Sequence, residues 1–72
     1  MSKPDAIRLA KEAAMKDGIN LSDYQRPEAR YGADDRTWFV FFDGRGRIRA
    51  VGSHFGVYID DQTGESRVIR GM

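Results

Sequence analysis

The sequence contains no cysteine, and its 72 residues are few for a stable domain. Without cysteine, the chain cannot be a disulfide-stapled scaffold, hold a metal through thiolates or use a catalytic thiol. A chain of this length buries only about 60% of the surface that its unfolded form exposes. We therefore expect one domain, residues 1–72, of marginal stability. The first residues also lack the apolar run of a signal peptide or a membrane span, which predicts a cytoplasmic protein with no membrane partner.

The sequence also lacks an excess of charge of either sign, because 12 lysines and arginines face 11 aspartates and glutamates, for a net charge of +1. No global field draws such a chain onto nucleic acid or anionic lipid, so any binding of that kind needs a local patch. Arginine outnumbers lysine nine to three. The planar guanidinium suits recognition surfaces, although a compositional bias of the whole genome produces the same excess.

The first predicted element is an amphipathic helix. Ser2 fits an N-cap, and Pro4 and Asp5 suit the first helical turn. Gly18 is predicted to end the helix in a Schellman-type cap. Because alanines make the apolar stripe thin, the helix can lie close to a sheet. The stripe consists of residues at helical spacing: Ala6, Ile7, Leu9, Ala10, Ala13 and Ala14.

Three later segments predict an antiparallel sheet. Trp38–Phe42 is rich in aromatic and β-branched residues, and Phe55–Ile59 alternates apolar residues on one face. Arg67–Arg70 is expected to close the sheet after a hairpin turn over Asp60–Gly64, whose final glycine supplies positive φ. The fold class is therefore α+β, with the N-terminal helix packed on a three- to four-stranded antiparallel sheet in two layers.

Two further strands have weaker signals. A strand over Tyr24–Tyr31 would have to lie at an edge or contain a bulge, because Pro27 has no N–H to donate. A return strand that carries arginines is predicted over Arg47–Val51.

The strand Trp38–Phe42 is apolar on both faces. If Trp38, Val40 and Phe42 point toward the helix, Phe39 and Phe41 must point away from it. A chain of 72 residues leaves too little sequence for a second covering layer. We therefore predict an exposed aromatic patch, a feature that usually marks an interface with a partner or with a second copy of the chain.

An alternative arrangement would cover these two rings within the chain. Either the loop Gly44–Ser53 or the segment around Tyr24 would then fold over them.

The predicted partner-binding surface combines this patch with a charged rim. Arg45, Arg47 and Arg49 alternate, so they line one face of an extended segment and could clamp phosphates or an acidic protein surface. They could equally be a solvated edge that discourages sheet-to-sheet aggregation. The surface as predicted comprises Phe39, Phe41, Tyr58, Arg45, Arg47 and Arg49.

No motif indicates catalysis, a cofactor or a metal. His54 is the only histidine, and no second imidazole or nucleophile has a spacing that suggests a shared site. Asp60–Glu65 does not meet the spacing of a calcium loop. Gly44–Arg47 lacks the third glycine and the βαβ setting of a dinucleotide site. We expect a protein that is not an enzyme and has no cofactor.

Two family resemblances rest on the second half of the chain. Phe55–Glu65 resembles the end of PepSY-type domains, in which a strand of the form "vyvD…TGe" turns into a last strand. The pattern W-x-V-x-F, here Trp38, Val40 and Phe42, together with GVYIDDQTGESRVIRGM is similar to small cystatin-like or NTF2-like immunity proteins of bacterial toxin systems. Both resemblances imply binding or inhibition of another protein.

Three hypotheses for function follow. The first is a protein-binding module, inhibitor-like or immunity-like, that uses the aromatic outer face of the sheet. The second is a small nucleic-acid-binding domain, in which the same aromatics stack on bases and the arginines hold phosphates. The third is a homodimer formed through the aromatic face, with no further ligand.

Overall fold

The computed structural model describes residues 1–44 and 54–70. The four strands form one antiparallel sheet in which each strand pairs with its neighbours in sequence, and the helix packs on it, which confirms the α+β arrangement. The predicted return strand Arg47–Val51 lies outside the described residues. The elements are α1 (Lys3–Lys16), a 3₁₀ turn (Leu21–Asp23), β1 (Glu28–Gly32), β2 (Thr37–Phe42), β3 (Phe55–Asp60) and β4 (Ser66–Arg70).

Both ends of α1 are capped as the sequence predicts. At the N-terminus, the hydroxyl oxygen of Ser2 accepts a hydrogen bond from the backbone N–H of Asp5 at 3.3 Å. At the C-terminus, Gly18 has φ +82°. Its N–H donates to the carbonyl of Met15 at 3.1 Å, and the N–H of Ile19 donates to the carbonyl of Ala14 at 3.0 Å, which is the Schellman pattern.

The first strand is shorter than the predicted Tyr24–Tyr31. It begins at Glu28, directly after Pro27, because proline cannot donate a hydrogen bond to the sheet. Tyr24, which lies before this strand, instead forms an isolated bridge with Gly44. Its ring packs edge-on against Phe55, with 4.9 Å between ring centroids.

The hairpin between β3 and β4 follows the predicted turn. The carboxylate of Asp60 accepts hydrogen bonds from the backbone N–H groups of Gln62 at 2.8 Å and Thr63 at 3.0 Å. Gly64 has φ +77°, a conformation that glycine adopts without strain, and its N–H donates to the carbonyl of Asp60 at 2.8 Å. These bonds fix the register of β4.

The face of the sheet that packs against α1 is called the covered face. It holds the core, because Val40, Phe42, Phe55, Val57 and Ile59 are all at most 1% exposed. On the helix side, Ala6, Ala10 and Ala14 are fully buried, so the helix backbone approaches the sheet closely. Other residues that complete the packing on this face include Ala29, Trp38 and Val68.

No helix among the described residues is long and apolar enough to cross a membrane.

Candidate binding surface

The opposite side of the sheet is called the open face. Its side chains follow from the register, since directly paired residues project to the same side. One row across the four strands reads Arg30, Phe39, Tyr58 and Arg67, and the neighbouring row reads Glu28, Phe41, Gly56 and Ile69. Both helical segments that the structure describes pack elsewhere, since most of their apolar residues belong to the core on the covered face.

Three aromatic residues occupy the centre of the open face. The ring centroids of Phe39 and Tyr58 are 4.9 Å apart, and those of Phe39 and Phe41 are 6.3 Å apart. The structure therefore brings together the three aromatic residues that the sequence assigned to the binding surface. Tyr58 is 43% exposed, whereas Phe39 and Phe41 are half-buried. The two phenylalanines are thus less exposed than predicted, because the rings shield one another.

The segment around Tyr24 does not cover these rings. Tyr24 packs against Phe55 and the core on the covered side of the sheet, so this alternative is wrong. The other proposed cover, the loop Gly44–Ser53, lies outside the described residues except for its first residue, as do Arg45, Arg47 and Arg49 of the predicted rim.

Two other arginines flank the aromatic centre and were missed by the sequence interpretation. Arg30 on β1 pairs with Phe39, and Arg67 on β4 pairs with Tyr58. Both side chains are exposed. The alternation of each strand would have shown which face they share, but only the register between strands shows that they flank the same two rings.

The open face has acidic groups as well as basic ones. A depression of about 240 Å³ lies between β1 and β2, lined by Glu28, Arg30, Phe39 and Phe41. A second depression, of about 510 Å³, lies beyond Tyr58 at the other end of the face. Its charged lining residues are Asp35, Asp60, Glu65 and Arg67. Carboxylates therefore outnumber guanidinium groups among the described charges of this face.

His54 borders the aromatic centre. Its ring lies 5.7 Å from that of Phe41, measured between centroids, and the residue is half-buried. The contact extends the aromatic surface by one ring. Within residues 1–44 and 54–70, no group of three or more acidic or histidine side chains could hold a metal ion.

One carboxylate, that of Asp61, is hydrogen-bonded to a side chain of the covered face. The indole Nε1–H of Trp38 donates to Oδ1 of Asp61 at 2.9 Å. This hydrogen bond stabilises the carboxylate and lowers the pKa of Asp61 below its ordinary value. The bond anchors the only tryptophan to the turn after β3.

No protein-family model matches this chain, and no curated protein or solved structure is significantly similar to it.

Proposed function

We propose that this chain is a non-enzymatic protein-binding module that recognises its partner through the open face of the sheet. The observation that carries the proposal is the cluster of Phe39, Phe41 and Tyr58 at the centre of that face. Aromatic residues on central strands contribute most to folding when a second layer covers them. Here the chain's helix covers the other face, and a half-exposed aromatic cluster of this kind supports a role in contacting a partner.

The composition of the surface suits a protein partner. Interfaces bind most strongly through a few central aromatic and arginine side chains, surrounded by contacts that exclude water. The row Arg30, Phe39, Tyr58 and Arg67 has this composition. The mixed charges around it suit a partner surface that also carries both signs, which favours one orientation of docking over others.

The inhibitor-like or immunity-like role is part of the same proposal. It is supported by the resemblance of Trp38, Val40, Phe42 and the stretch Phe55–Glu65 to families of that kind. Such a protein acts by occupying a surface of its target, and the open face is the surface that would do so.

Two tyrosines with nearly equal exposure provide a direct test. Tyr58 on the open face is 43% exposed, and Tyr31, whose ring packs on Trp38 of the covered face, is 45% exposed. Each is replaced in turn by a photo-crosslinking amino acid, and the protein is irradiated in its native cells. We expect covalent adducts with a partner protein from position 58 and none from position 31.

The double variant Phe39→Ala, Phe41→Ala supplies the control for the aromatic centre. It should abolish the adducts from position 58 while circular dichroism shows that the fold is kept. Equal adducts from positions 31 and 58 would refute the proposal, as would adducts that persist in the folded double variant. An adduct of twice the mass of the chain would identify the partner as a second copy, the homodimer of the third hypothesis.

Nucleic-acid binding is the second candidate, and one observation favours it. Phe39 and Tyr58 lie on the two central strands, with Arg30 and Arg67 on either side, an arrangement that could stack bases and hold phosphates. The excess of carboxylates on the same face disfavours a polyanion. A steep fall in affinity for single-stranded oligonucleotides with rising salt would support this candidate, and no binding at low ionic strength would exclude it.

A further inference from the structure

A second concave surface lies away from the open face, between α1 and the segment that leads into β1. It is a groove of about 700 Å³. Its apolar lining consists of Pro4, Ile7, Met15 and Pro27, and Met15 is 57% exposed. The flexible side chain of Met15 can adapt to an apolar side chain of a ligand, and the two prolines fix the backbone φ angle at their own positions in the lining.

The charges of this groove differ from those of the chain as a whole. The whole chain carries 12 basic and 11 acidic residues, whereas the groove is lined by four basic residues and one acidic residue, Glu12. The basic residues are Lys3, Arg8, Lys11 and Arg26. The groove is therefore a local positive patch of the kind that near-neutral proteins need for binding anions.

Most of this positive charge is not neutralised by the residues that the structure describes. Arg8 is paired with Glu12 at 3.2 Å and lies 3.8 Å from Asp5. Lys3, Lys11 and Arg26 make no ion pair with any residue that the structure describes. Three cations beside an exposed apolar lining are thus available to a ligand.

The dimensions of the groove suit a short peptide. From Lys3 to Met15 the helix rises by about 18 Å, a length that an extended segment of about five residues spans. A neighbouring depression of about 310 Å³ shares Lys11, Arg26 and Pro27 with the groove and reaches Leu21 and Tyr24. A longer peptide could therefore continue along the same side of the molecule.

We infer that this groove binds an acidic peptide segment that also carries apolar side chains. The apolar side chains pack against Ile7 and Met15, and the carboxylates pair with Lys3, Lys11 and Arg26. Nucleic acid fits less well because it would leave the apolar lining uncovered. A bilayer surface fits less well because the lining is recessed between two segments of the chain. This site is separate from the open face and does not depend on the function proposed for it.

The test uses a fluorescently labelled short peptide in which glutamates flank a pair of leucines. Its affinity for the full chain is measured by anisotropy, beside two altered peptides, one with glutamine for glutamate and one with serine for leucine. We expect each altered peptide to bind at least about tenfold more weakly. Amide chemical shifts should move at Ile7, Lys11, Met15 and Arg26, and stay unchanged at Phe39 and Tyr58.

Matched variants locate the site. The double variant Lys11→Glu, Arg26→Glu should weaken peptide binding by about tenfold or more. Lys16→Glu makes the same kind of charge change on the same helix outside the groove, and should change the affinity by less than about twofold. Met15→Ser removes the exposed apolar contact with little risk to folding, and should weaken binding severalfold.

Several results would overturn the inference. These are no detectable binding of the peptide, equal binding of the glutamine peptide, or a loss with Lys16→Glu as large as with the double variant. Tighter binding of phosphatidylglycerol vesicles or of a single-stranded oligothymidine, lost in the Lys11 and Arg26 variant, would reassign the groove to a membrane or to nucleic acid.

Discussion

The covered face of the sheet packs against alanines of α1, whereas the aromatic rings of the open face pack, among the residues that the structure describes, mainly against one another. Ala6, Ala10 and Ala14 bring the backbone of α1 onto the covered face and are themselves fully buried there. On the open face, Phe39 and Tyr58 shield each other sideways, and Tyr58 stays 43% exposed. We therefore expect neighbouring aromatic residues of β2 that point to opposite faces to contribute unequally to folding, because burial differs between the two faces.

The largest expected effect comes from truncating two neighbouring phenylalanines that point to opposite faces. Phe42 is 1% exposed, and its ring stacks on that of Phe55 with centroids 4.5 Å apart. Phe42→Ala should cost about 3–5 kcal/mol of unfolding free energy, enough to unfold much of a domain this small. Phe41→Ala, on the open face, should cost about 1 kcal/mol. Urea denaturation followed by circular dichroism measures both, and equal losses would show that the open face is covered in the monomer.

Part of this contrast could be predicted from the sequence, because it depends on local chemistry. The N-cap at Ser2 and the glycines with positive φ, Gly18 and Gly64, mark the ends of α1 and the last hairpin. The alternation in Trp38–Phe42 places neighbouring rings on opposite faces. Each of these signals is read from a few consecutive residues, and the structure confirms each of them.

The remainder depends on contacts between distant segments. The start of β1 is set by Pro27 and by the packing of Tyr24 on Phe55, 31 positions later in the sequence. The placement of Arg30 and Arg67 beside the aromatic centre follows from the register of the outer strands, which no local pattern encodes. The positive groove likewise exists only because the segment before β1 approaches α1.

The next largest expected loss of stability comes from placing a larger side chain between the helix and the covered face. Ala10 is fully buried and belongs to the core cluster, so Ala10→Leu adds volume at a packed position between the helix and the sheet. We expect a loss of about 1–3 kcal/mol, measured by thermal or urea unfolding. Lys16→Leu is the control, because Lys16 is exposed on the same helix, and it should change stability by less than about 0.5 kcal/mol. A neutral Ala10→Leu would mean that the helix can move away from the sheet without loss.

Adding one hydroxyl to a phenylalanine ring on each face compares the stability of the two faces with almost no change in side-chain shape. Phe55 is 1% exposed and contacts the rings of both Phe42 and Tyr24. In Phe55→Tyr, the new hydroxyl would be buried among these rings, at a cost of about 1–3 kcal/mol. Phe39→Tyr places its hydroxyl on the half-exposed open face, where water can solvate it, and should cost less than about 0.5 kcal/mol. A larger loss for Phe39→Tyr than for Phe55→Tyr would reverse the assignment of the two faces.

The smallest expected effect is a pH dependence of folding stability that comes from the hydrogen bond between Trp38 and Asp61. The hydrogen bond from Trp38 lowers the pKa of Asp61 in the folded state below its ordinary value of 3.8. A group whose pKa is depressed by folding contributes stability that is complete above the unfolded pKa and is lost as pH falls through the folded pKa. Asp61→Asn should therefore be less stable than the wild type at neutral pH, and the gap should shrink as pH falls below about 4. Urea titrations across this range measure the gap. The control is the same substitution in a Trp38→Phe background, where the indole donor is absent. Asp61→Asn should there produce a smaller pH-dependent difference in stability. A difference as large as in the wild-type background would mean that the indole does not stabilise the carboxylate.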